Sequence, residues 1–259
     1  MLGKAHLLLG AFASDAPSLG LTELSRRSGV RKATVHRLAT ELVRLGYLAR
    51  TADGYQLGWR IYELGQLVPG PASLRGVAQP ALIDLRTATK AVIHLAVPHG
   101  EDCVYLERLG GRREARVLSA VGMTVPSWFT ASGRLFLAHR EDRDELLAAL
   151  GEAELAPLAP HGIKDVSQLR AHLELIRERR WADEQQQCVP GFKTFAVPIT
   201  YGTLDRVLAA VSATMSVERR DDQQIVHALW AAAADISRNL HWPAAALCDD
   251  SPYWAKLVG

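Results

Sequence analysis

The sequence predicts an α+β protein with two domains, of which the first is mainly helical and the second has a mainly antiparallel sheet. Three observations indicate this arrangement: three helical patterns followed by a hairpin within the first 60 residues, a Pro-Gly-Pro break at residues 69–71, and strand-like runs separated by short turns beyond it. With 259 residues, 48% of them hydrophobic, the chain is long enough to bury two cores.

The spacing of apolar residues defines three short helices at the N-terminus. Apolar side chains recur every three or four positions over Lys4–Ala13, which predicts the first helix. Thr22 is the predicted N-cap of a second helix, which ends at Arg27 before Ser28-Gly29. The third helix is predicted over Arg31–Leu45, with one apolar face that consists of Val35, Leu38, Leu42 and Leu45.

A hairpin is predicted after the third helix. Tyr47–Arg50 and Tyr55–Gly58 are short extended runs on either side of Asp53-Gly54, a dipeptide typical of tight hairpin turns. Three helices and a hairpin, with a glycine in the turn between the second and third helices, have the layout of a winged helix-turn-helix. We therefore predict a DNA-binding domain of this kind over residues 1–60.

Charge is distributed unevenly along the chain. Residues 1–60 contain nine Lys or Arg and four Asp or Glu, an excess of five positive charges. Because the whole chain carries +2, the remaining residues carry −3. A basic first domain joined to a mildly acidic second one fits double-stranded DNA as the partner, although an ordinary solvated surface can show a similar excess.

The third helix supplies most of the candidate DNA contacts. Residues on its first two turns can reach base edges in the major groove, where Arg and Lys serve guanine and Thr meets a thymine methyl group or a phosphate. We assign this role to Arg31, Lys32, Thr34, His36 and Arg37, with the solvated face of an amphipathic helix as the alternative. Arg26 and Arg27 are the expected phosphate contacts on the second helix, and Arg50 and Tyr55 those of the wing.

The second domain is predicted to follow a linker helix over Trp59–Leu67 and the break at Pro69-Gly70-Pro71. The domains are therefore 1–60, a linker over 61–72, and 73–259. Five strand-like runs and five helical patterns are expected in this part of the chain. The strands are Ala91–Val97, Cys103–Leu109, Glu114–Val121, Phe192–Thr200 and Arg206–Thr214; the helices are Leu74–Thr89, Ser132–Ala138, Arg143–Leu150, Val166–Arg180 and Glu218–Leu240, the last with a core-facing or subunit-facing apolar stripe.

Several kinds of site are not expected. Cys103, Cys188 and Cys248 form no C-x-x-C pair, so neither a disulfide framework nor a standard zinc site is predicted. The sequence has no P-loop, dinucleotide fingerprint, H-E-x-x-H or G-x-S-x-G motif, so we expect no cofactor and no enzymatic activity. Its apolar stretches fall short of the roughly 20 residues that span a bilayer, which predicts no membrane partner and a cytoplasmic location.

Several blocks of the sequence together resemble the IclR family of bacterial transcription regulators. The N-terminal blocks are Leu21–Ser25, Gly29–Leu38, Leu45–Leu48 and Tyr55–Gly58; the later ones are Val92–Val97, Val104–Arg108, Pro126–Ala138, Gly191–Ile199 and Val207–Ser212. The resemblance covers residues 4–241. It implies a winged helix joined by a helix to a GAF-like effector-binding domain, assembled as a homodimer or a dimer of dimers that binds paired DNA half-sites.

The resemblance also implies a function and an effector site. Members of the family mostly repress operons for carbon-source or aromatic-compound breakdown in response to small organic acids. The positions that correspond to the effector site of the family are Gly122, Met123, Trp128, Phe129, Thr130, Gln187, Thr194, Ser212 and Thr214. The orphan amides of the helix that starts near Ser132-Gly133 suit a carboxylate.

Departures from the family pattern leave alternatives open. Gln185 and Gln187 stand where acids are common, which permits a degenerate cavity and a ligand-independent DNA-bound scaffold. Trp128 and Phe129 replace smaller side chains and either narrow the cavity or stack on an aromatic effector. The hydroxyl-bearing strand residues can also be ordinary strand positions that bond to their neighbours.

Overall fold

The computed structural model describes residues 1–12, 16–68, 71–110, 120–151, 155, 159–200 and 207–240. The chain divides into two compact units, Met1–Ala72 and Ser73–Gly259.

The first unit has the predicted three helices followed by a hairpin. Its elements are α1 (Leu2–Leu9), α2 (Leu21–Ser28), α3 (Lys32–Arg44), β1 (Leu48–Thr51), β2 (Gly54–Leu57) and α4 (Trp59–Gln66). The N-cap of α2 is Gly20, which has no side chain to cap the helix, so the assignment of Thr22 was wrong. Gly29 ends α2 in the left-handed conformation with φ of 68°, which glycine adopts without steric cost.

The core of the first unit joins the three helices to the hairpin. Leu8, Leu24, Val35 and Leu48 are buried and come from α1, α2, α3 and β1. The segment around Leu19 extends the hairpin by one further backbone bridge to β2. This packing explains why so short a hairpin is stable, since an isolated two-stranded ribbon is marginal in water.

The second unit contains one antiparallel sheet with the strand order β5-β4-β3-β8-β7-β6. The strands are β3 (Val92–His99), β4 (Asp102–Leu109), β5 (Thr124–Pro126), β6 (Ala182–Gln185), β7 (Phe192–Thr200) and β8 (Val207–Ser216). The predicted strand over 114–121 lies mostly outside the described residues; among those that are described, β5 pairs with β4 at this end of the sheet. Strand β6, at the other edge, was not predicted.

Helices cover both faces of the sheet. They are α5 (Pro71–Thr89), α6 (Ala131–Ala138), α7 (Arg143–Leu150), α8 (Val166–Arg179) and α9 (Asp222–Asn239). One core forms between the sheet and α5 and α9, and a second between the sheet and α6, α7 and α8. The apolar stripe of α9 is buried in the first core, which confirms it as core-facing. The predicted α+β class and mainly antiparallel sheet are therefore confirmed.

Alternation along the strands separates the two cores. Phe195 and Val211 belong to the core beneath α5 and α9, whereas their neighbours Ala196 and Ala210 face α6 and α8. Small side chains on this second face let α6 approach the sheet closely, and every residue of α6 is buried. The approach is closest at Gly133, where an added Cβ would lie 2.3 Å from the carbonyl oxygen of Ser127.

Candidate DNA-binding surface and effector cavity

Helix α3 separates buried apolar residues from exposed basic ones. Its buried side chains are Val35, Leu38, Ala39 and Leu42. The exposed positions in its first two turns include Lys32, His36 and Arg37, with Arg31 exposed at the N-cap and Thr34 half-buried. The helix therefore presents three cations and an imidazole to solvent on a rigid support, as base readout in a major groove requires.

The two arginines of α2 share one acid. The carboxylate of Glu23 accepts hydrogen bonds from Arg26 Nε at 2.8 Å and Nη2 at 2.5 Å, and from Arg27 Nε at 2.8 Å. These bonds lower the pKa of Glu23 to about 2. Both guanidinium groups are thus held on one side of α2, with side chains that are 70% exposed at Arg26 and 28% exposed at Arg27.

Tyr55 is buried and does not belong to the exposed surface of the hairpin. Its side chain is 5% exposed and packs in the core of the first unit. Its backbone N–H and C=O bond to Leu19, and the Arg50 guanidinium carbon lies 5.5 Å from its ring centroid. The prediction that Tyr55 contacts DNA was therefore wrong, because β2 turns this side chain inward. Arg50 itself is exposed on the hairpin.

A cavity of about 210 Å³ lies on the face of the sheet that carries α6. Strands β3 and β4 contribute His94 and Tyr105, the segment that leads into α6 contributes Phe129, and the first turn of α6 contributes Ser132. Most of the remaining wall is apolar, and no Lys or Arg side chain is among the described residues that line it. The rest of the lining consists of Met123, Thr124, Val125, Pro126, Thr130, Ala131, Glu184, Cys188, Val189, Phe192, Thr194 and Thr214.

Three polar side chains form a row across β6, β7 and β8. Glu184 faces Thr194, and Thr194 faces Thr214, in the register of these strands. Thr194 Oγ1 donates to Glu184 Oε1 at 2.7 Å and lies 3.0 Å from Thr214 Oγ1. The backbone N–H groups of Gln187 and Cys188 donate to Glu184 Oε2 at 3.0 and 3.1 Å. We call Glu184, Thr194 and Thr214 the polar row.

Burial determines the charges around the cavity. It raises the pKa of the Glu184 carboxyl, although its hydrogen bonds and the nearby Arg134 favour the ionised form. Burial lowers the pKa of His94 to about 3, with a further contribution from the positive charge of Arg108, so its ring is neutral at neutral pH. The pKa values of Tyr105 and Cys188 are raised by burial, so both stay protonated.

Arg134 connects the two loop segments that form the cavity wall. This side chain is 1% exposed and donates from Nε to the carbonyl of Trp128 at 2.8 Å and from Nη1 to Gln187 Oε1 at 2.5 Å. Cys188 Sγ also donates to the Phe129 carbonyl at 2.6 Å. Loop 186–191 is therefore tied to the segment before α6.

The start of α6 presents hydrogen-bond donors to the cavity. The Thr130 side chain caps the helix by accepting from the N–H of Gly133 at 3.0 Å. The N–H groups of Ala131 and Ser132, in the first turn, have no intrahelical acceptor, and both residues line the cavity. This wall suits an anionic group.

Comparison with known proteins identifies the family. Residues 70–238 match the family model described as "Bacterial transcriptional regulator IclR C-terminal", and residues 2–52 match "IclR helix-turn-helix domain". This chain belongs to the IclR family. It is accordingly a transcriptional regulator with an N-terminal DNA-binding domain, and not an enzyme.

Curated relatives of this IclR-family regulator match over most of its length. It is 29% identical to the HTH-type transcriptional regulator XynR of Escherichia coli over 246 residues, 93% of this chain and 97% of that protein. The Pca regulon regulatory protein of Pseudomonas putida is 28% identical over 244 residues, 92% of this chain and 83% of that protein.

Solved structures of IclR proteins have the same fold. An IclR homolog from Microbacterium hydrocarbonoxydans complexed with 4-hydroxybenzoate has a TM-score of 0.82 and 27% identity, covering 92% of this chain and 98% of that one. The Thermotoga maritima IclR has a TM-score of 0.72 and 25% identity, covering 93% of this chain and 98% of that one.

The structure brings five of the nine predicted effector residues of this IclR-family regulator to the cavity, namely Met123, Phe129, Thr130, Thr194 and Thr214. The other four do not line it. Gly122 lies in a turn and donates its N–H to the Tyr105 carbonyl, and Gln187 is bonded to Arg134. Trp128 packs edge-on against Phe129, and Ser212 is buried opposite His94 on β3.

Glu184 and His94 line the cavity but were missed from the sequence. Glu184 was passed over because β6 was not predicted, so nothing in the local pattern gave the orientation of its side chain. His94 alternates with Ile93 and Leu95, which face the other core, and this alternation is a signal that could have placed it on the α6 face.

The described part of the chain contains neither a candidate metal cluster nor a candidate membrane-spanning helix. No group of three or more His, Cys, Asp or Glu there is arranged to hold a metal ion. None of the helices described is long and apolar enough to cross a membrane.

Proposed function

We propose that this regulator represses genes for the breakdown of a carbon source, that α3 reads the operator, and that a small organic acid in the cavity changes its affinity for DNA. The observation that carries the proposal is the cavity itself: it is largely apolar, lined on one wall by the orphan amides of α6, and belongs to a chain whose other unit exposes cations. A relative of the same fold was crystallised with an aromatic acid, 4-hydroxybenzoate.

The size and lining of the cavity support a monocyclic aromatic acid. A cavity of about 210 Å³ has room for one substituted ring. Phe129 and Phe192 offer aromatic contacts to such a ring, and the first-turn N–H groups of α6 can donate hydrogen bonds to its carboxylate. The buried acid Glu184 counts against a degenerate cavity, since a buried carboxyl is costly to keep without a role.

The DNA-binding half of the proposal is tested by an arginine pair on α3. Arg37 is exposed near the start of the helix, whereas Arg44 is exposed in its last turn and pairs with Glu41. We expect Arg37→Ala to weaken binding to the upstream intergenic DNA by about 10- to 100-fold and to reduce the salt dependence of binding by about one phosphate. Arg44→Ala is the matched control and should change affinity less than threefold.

The measurement is fluorescence anisotropy with labelled upstream DNA and with random DNA of equal length, titrated with salt and then with candidate acids. An acid that weakens binding to upstream DNA but not to random DNA supports a ligand-responsive repressor. If Arg37→Ala binds as tightly as Arg44→Ala, α3 does not read the operator. If no acid alters binding, the cavity does not regulate the DNA-binding domain.

Self-association is the remaining part of the proposal. Helix α4 has no buried residue, and it exposes Trp59, Tyr62 and, at its end, Leu67, with side chains that are 77%, 58% and 76% exposed. Apolar exposure of this kind favours a protein partner, and a second copy of the chain would pair two DNA half-sites. Light scattering of the wild type and of Trp59→Glu tests this: a monomeric wild type would refute a dimer, and an unchanged variant would refute the α4 surface.

A further inference from the structure

The direction of the hydrogen bonds in the polar row restricts what the effector can be. Thr194 has one hydroxyl proton, and it is donated to Glu184. In the bond between Thr194 and Thr214 the donor must therefore be Thr214, whose single proton is then also used. Both protons thus point along the row toward the carboxylate, and neither is left for a ligand.

Glu184 itself has room for one more donor. An ionised carboxylate has about four lone-pair positions, and three of them are occupied by Thr194 and by the N–H groups of Gln187 and Cys188. Oε2 receives two of these bonds and Oε1 only one. The polar row therefore presents acceptors to the cavity: a lone pair of Glu184 Oε1 and the remaining lone pairs of the two threonine hydroxyls.

The wall at the start of α6 has the opposite character. Its amides at Ala131 and Ser132 are donors, and Ser132, a residue only 1% exposed, lines the cavity. A ligand group that accepts hydrogen bonds belongs at this wall. A second carboxylate at the polar row would meet the acceptors of the row and the charge of Glu184, with no Lys or Arg in the described lining to compensate.

We propose that the effector is an aromatic monocarboxylic acid whose ring carries a hydroxyl or amino substituent, and that Glu184 selects this substituent because it donates a hydrogen bond. The carboxylate lies at the amides of α6 and the donor lies at the polar row. This inference rests on the proposed function, since it takes the cavity as the effector site. It excludes dicarboxylic acids and ring ethers as effectors.

The test uses the full-length protein and isothermal titration calorimetry with substituted benzoates. Para-(hydroxymethyl)benzoate and para-methoxybenzoate have the same number of heavy atoms, but only the first can donate a hydrogen bond. We expect the donor to bind about 10- to 150-fold more tightly. Para- and meta-hydroxybenzoate and para-aminobenzoate should follow the donor, and terephthalate should follow the ether. This comparison needs no variant and so does not depend on the folding of a mutant.

Glu184→Gln assigns the preference to the polar row. The amide keeps the carbonyl that accepts from loop 186–191 but adds an N–H₂ that can donate to Thr194, which frees the threonine protons for the cavity. The variant should lose the preference for the donor or reverse it. Gln185→Ala is the control, because Gln185 is exposed on the same strand, and it should keep the preference.

Two results would overturn this inference in different ways. If acids bind and alter DNA affinity but the ether equals the hydroxymethyl compound, or if the preference persists in Glu184→Gln, the polar row does not select the effector and the proposed function stands. If no aromatic acid binds and none alters DNA affinity, the inference and the proposed effector response both fail.

Discussion

Replacing Gly133 by alanine is the substitution whose effect on stability follows most directly from the structure. In α6 an alanine is ordinarily the better residue, because it gains about 1 kcal/mol of helix propensity over glycine. Here its Cβ would lie 2.3 Å from the Ser127 carbonyl oxygen and 2.5 Å from the Ser127 Cα. Both neighbours are backbone atoms, so the contact cannot be relieved by turning a side chain.

The size of the effect follows from these distances. Relief requires a shift of about 1 Å between α6 and the segment before it, and overpacking of this kind typically costs 1–3 kcal/mol and occasionally more. Because the two contacts are at 2.3 and 2.5 Å and involve backbone atoms, we take the upper end of this range, about 3 kcal/mol. After the gain of about 1 kcal/mol in helix propensity, we expect a net loss of about 2 kcal/mol in the free energy of unfolding. For a unit of this size that is a fall in Tm of roughly 4–8 °C. Because the adjoining Phe129 lines the cavity, acid binding should weaken as well.

Gly76→Ala provides the matched control. Gly76 lies inside α5 in the same unit, and an added Cβ would meet no atom within 4 Å. The same chemical change should therefore stabilise the protein by about 1 kcal/mol there. Urea denaturation followed by circular dichroism measures both variants. If Gly133→Ala is as stable as the wild type, or if both variants shift in the same direction, the close approach of α6 is not a constraint on the fold.

Three further predictions concern single side chains. Tyr55→Phe keeps the buried ring and should leave operator affinity unchanged within about twofold in an anisotropy titration, because the side chain is buried. A large loss of affinity would show that Tyr55 contacts DNA. Arg134→Met leaves buried acceptors without donors and should lower the free energy of unfolding, measured in urea, by about 2–4 kcal/mol. The control Arg238→Met removes an exposed ion pair and should change it by less than about 1 kcal/mol. Equal effects would contradict the conclusion that the hydrogen bonds of Arg134 hold the cavity wall together. Burial and Arg108 lower the folded-state pKa of His94 to about 3, so the unfolded chain binds this proton first and stability is lost as pH falls below about 6.5, by up to about 1.4 kcal/mol per pH unit. Between pH 5 and 6.5 the slope should be smaller in His94→Gln than in the wild type, because the lowered pKa of His172 leaves a remainder, and an identical slope in both proteins would show that His94 is not a source of it.

Much of the first unit could be predicted because its signals are local. The apolar face of α3 and the turn residues Gly29 and Asp53-Gly54 act within a few positions of the chain. Tyr55 could not be placed in the same way. The alternation of a short strand shows that neighbouring side chains point to opposite faces, but the inward face of β2 depends on its pairing with the segment around Leu19, more than 30 positions away.

The cavity residues also divide into those that could be predicted from the sequence and those that depend on contacts between distant segments. Thr194 and Thr214 were expected there through resemblance, whereas Glu184 was missed because β6 is a four-residue edge strand whose conformation depends on β7. Ser212 and Thr214 share one face of β8, and only the position of α6 decides which of them reaches the cavity. Ser212 was therefore expected at the cavity on good grounds, but it does not line it.

The sequence by itself determined the class of the fold, the order of most of its elements, the basic surface of α3 and the family, because these depend on periodicity, turn chemistry and motifs that are contiguous in the chain. The tertiary structure decided which polar side chains meet. Glu184, Thr194, Thr214 and the first turn of α6 lie far apart in sequence, and the donors and acceptors of the cavity acquire their directions only when register and packing bring them within hydrogen-bonding distance.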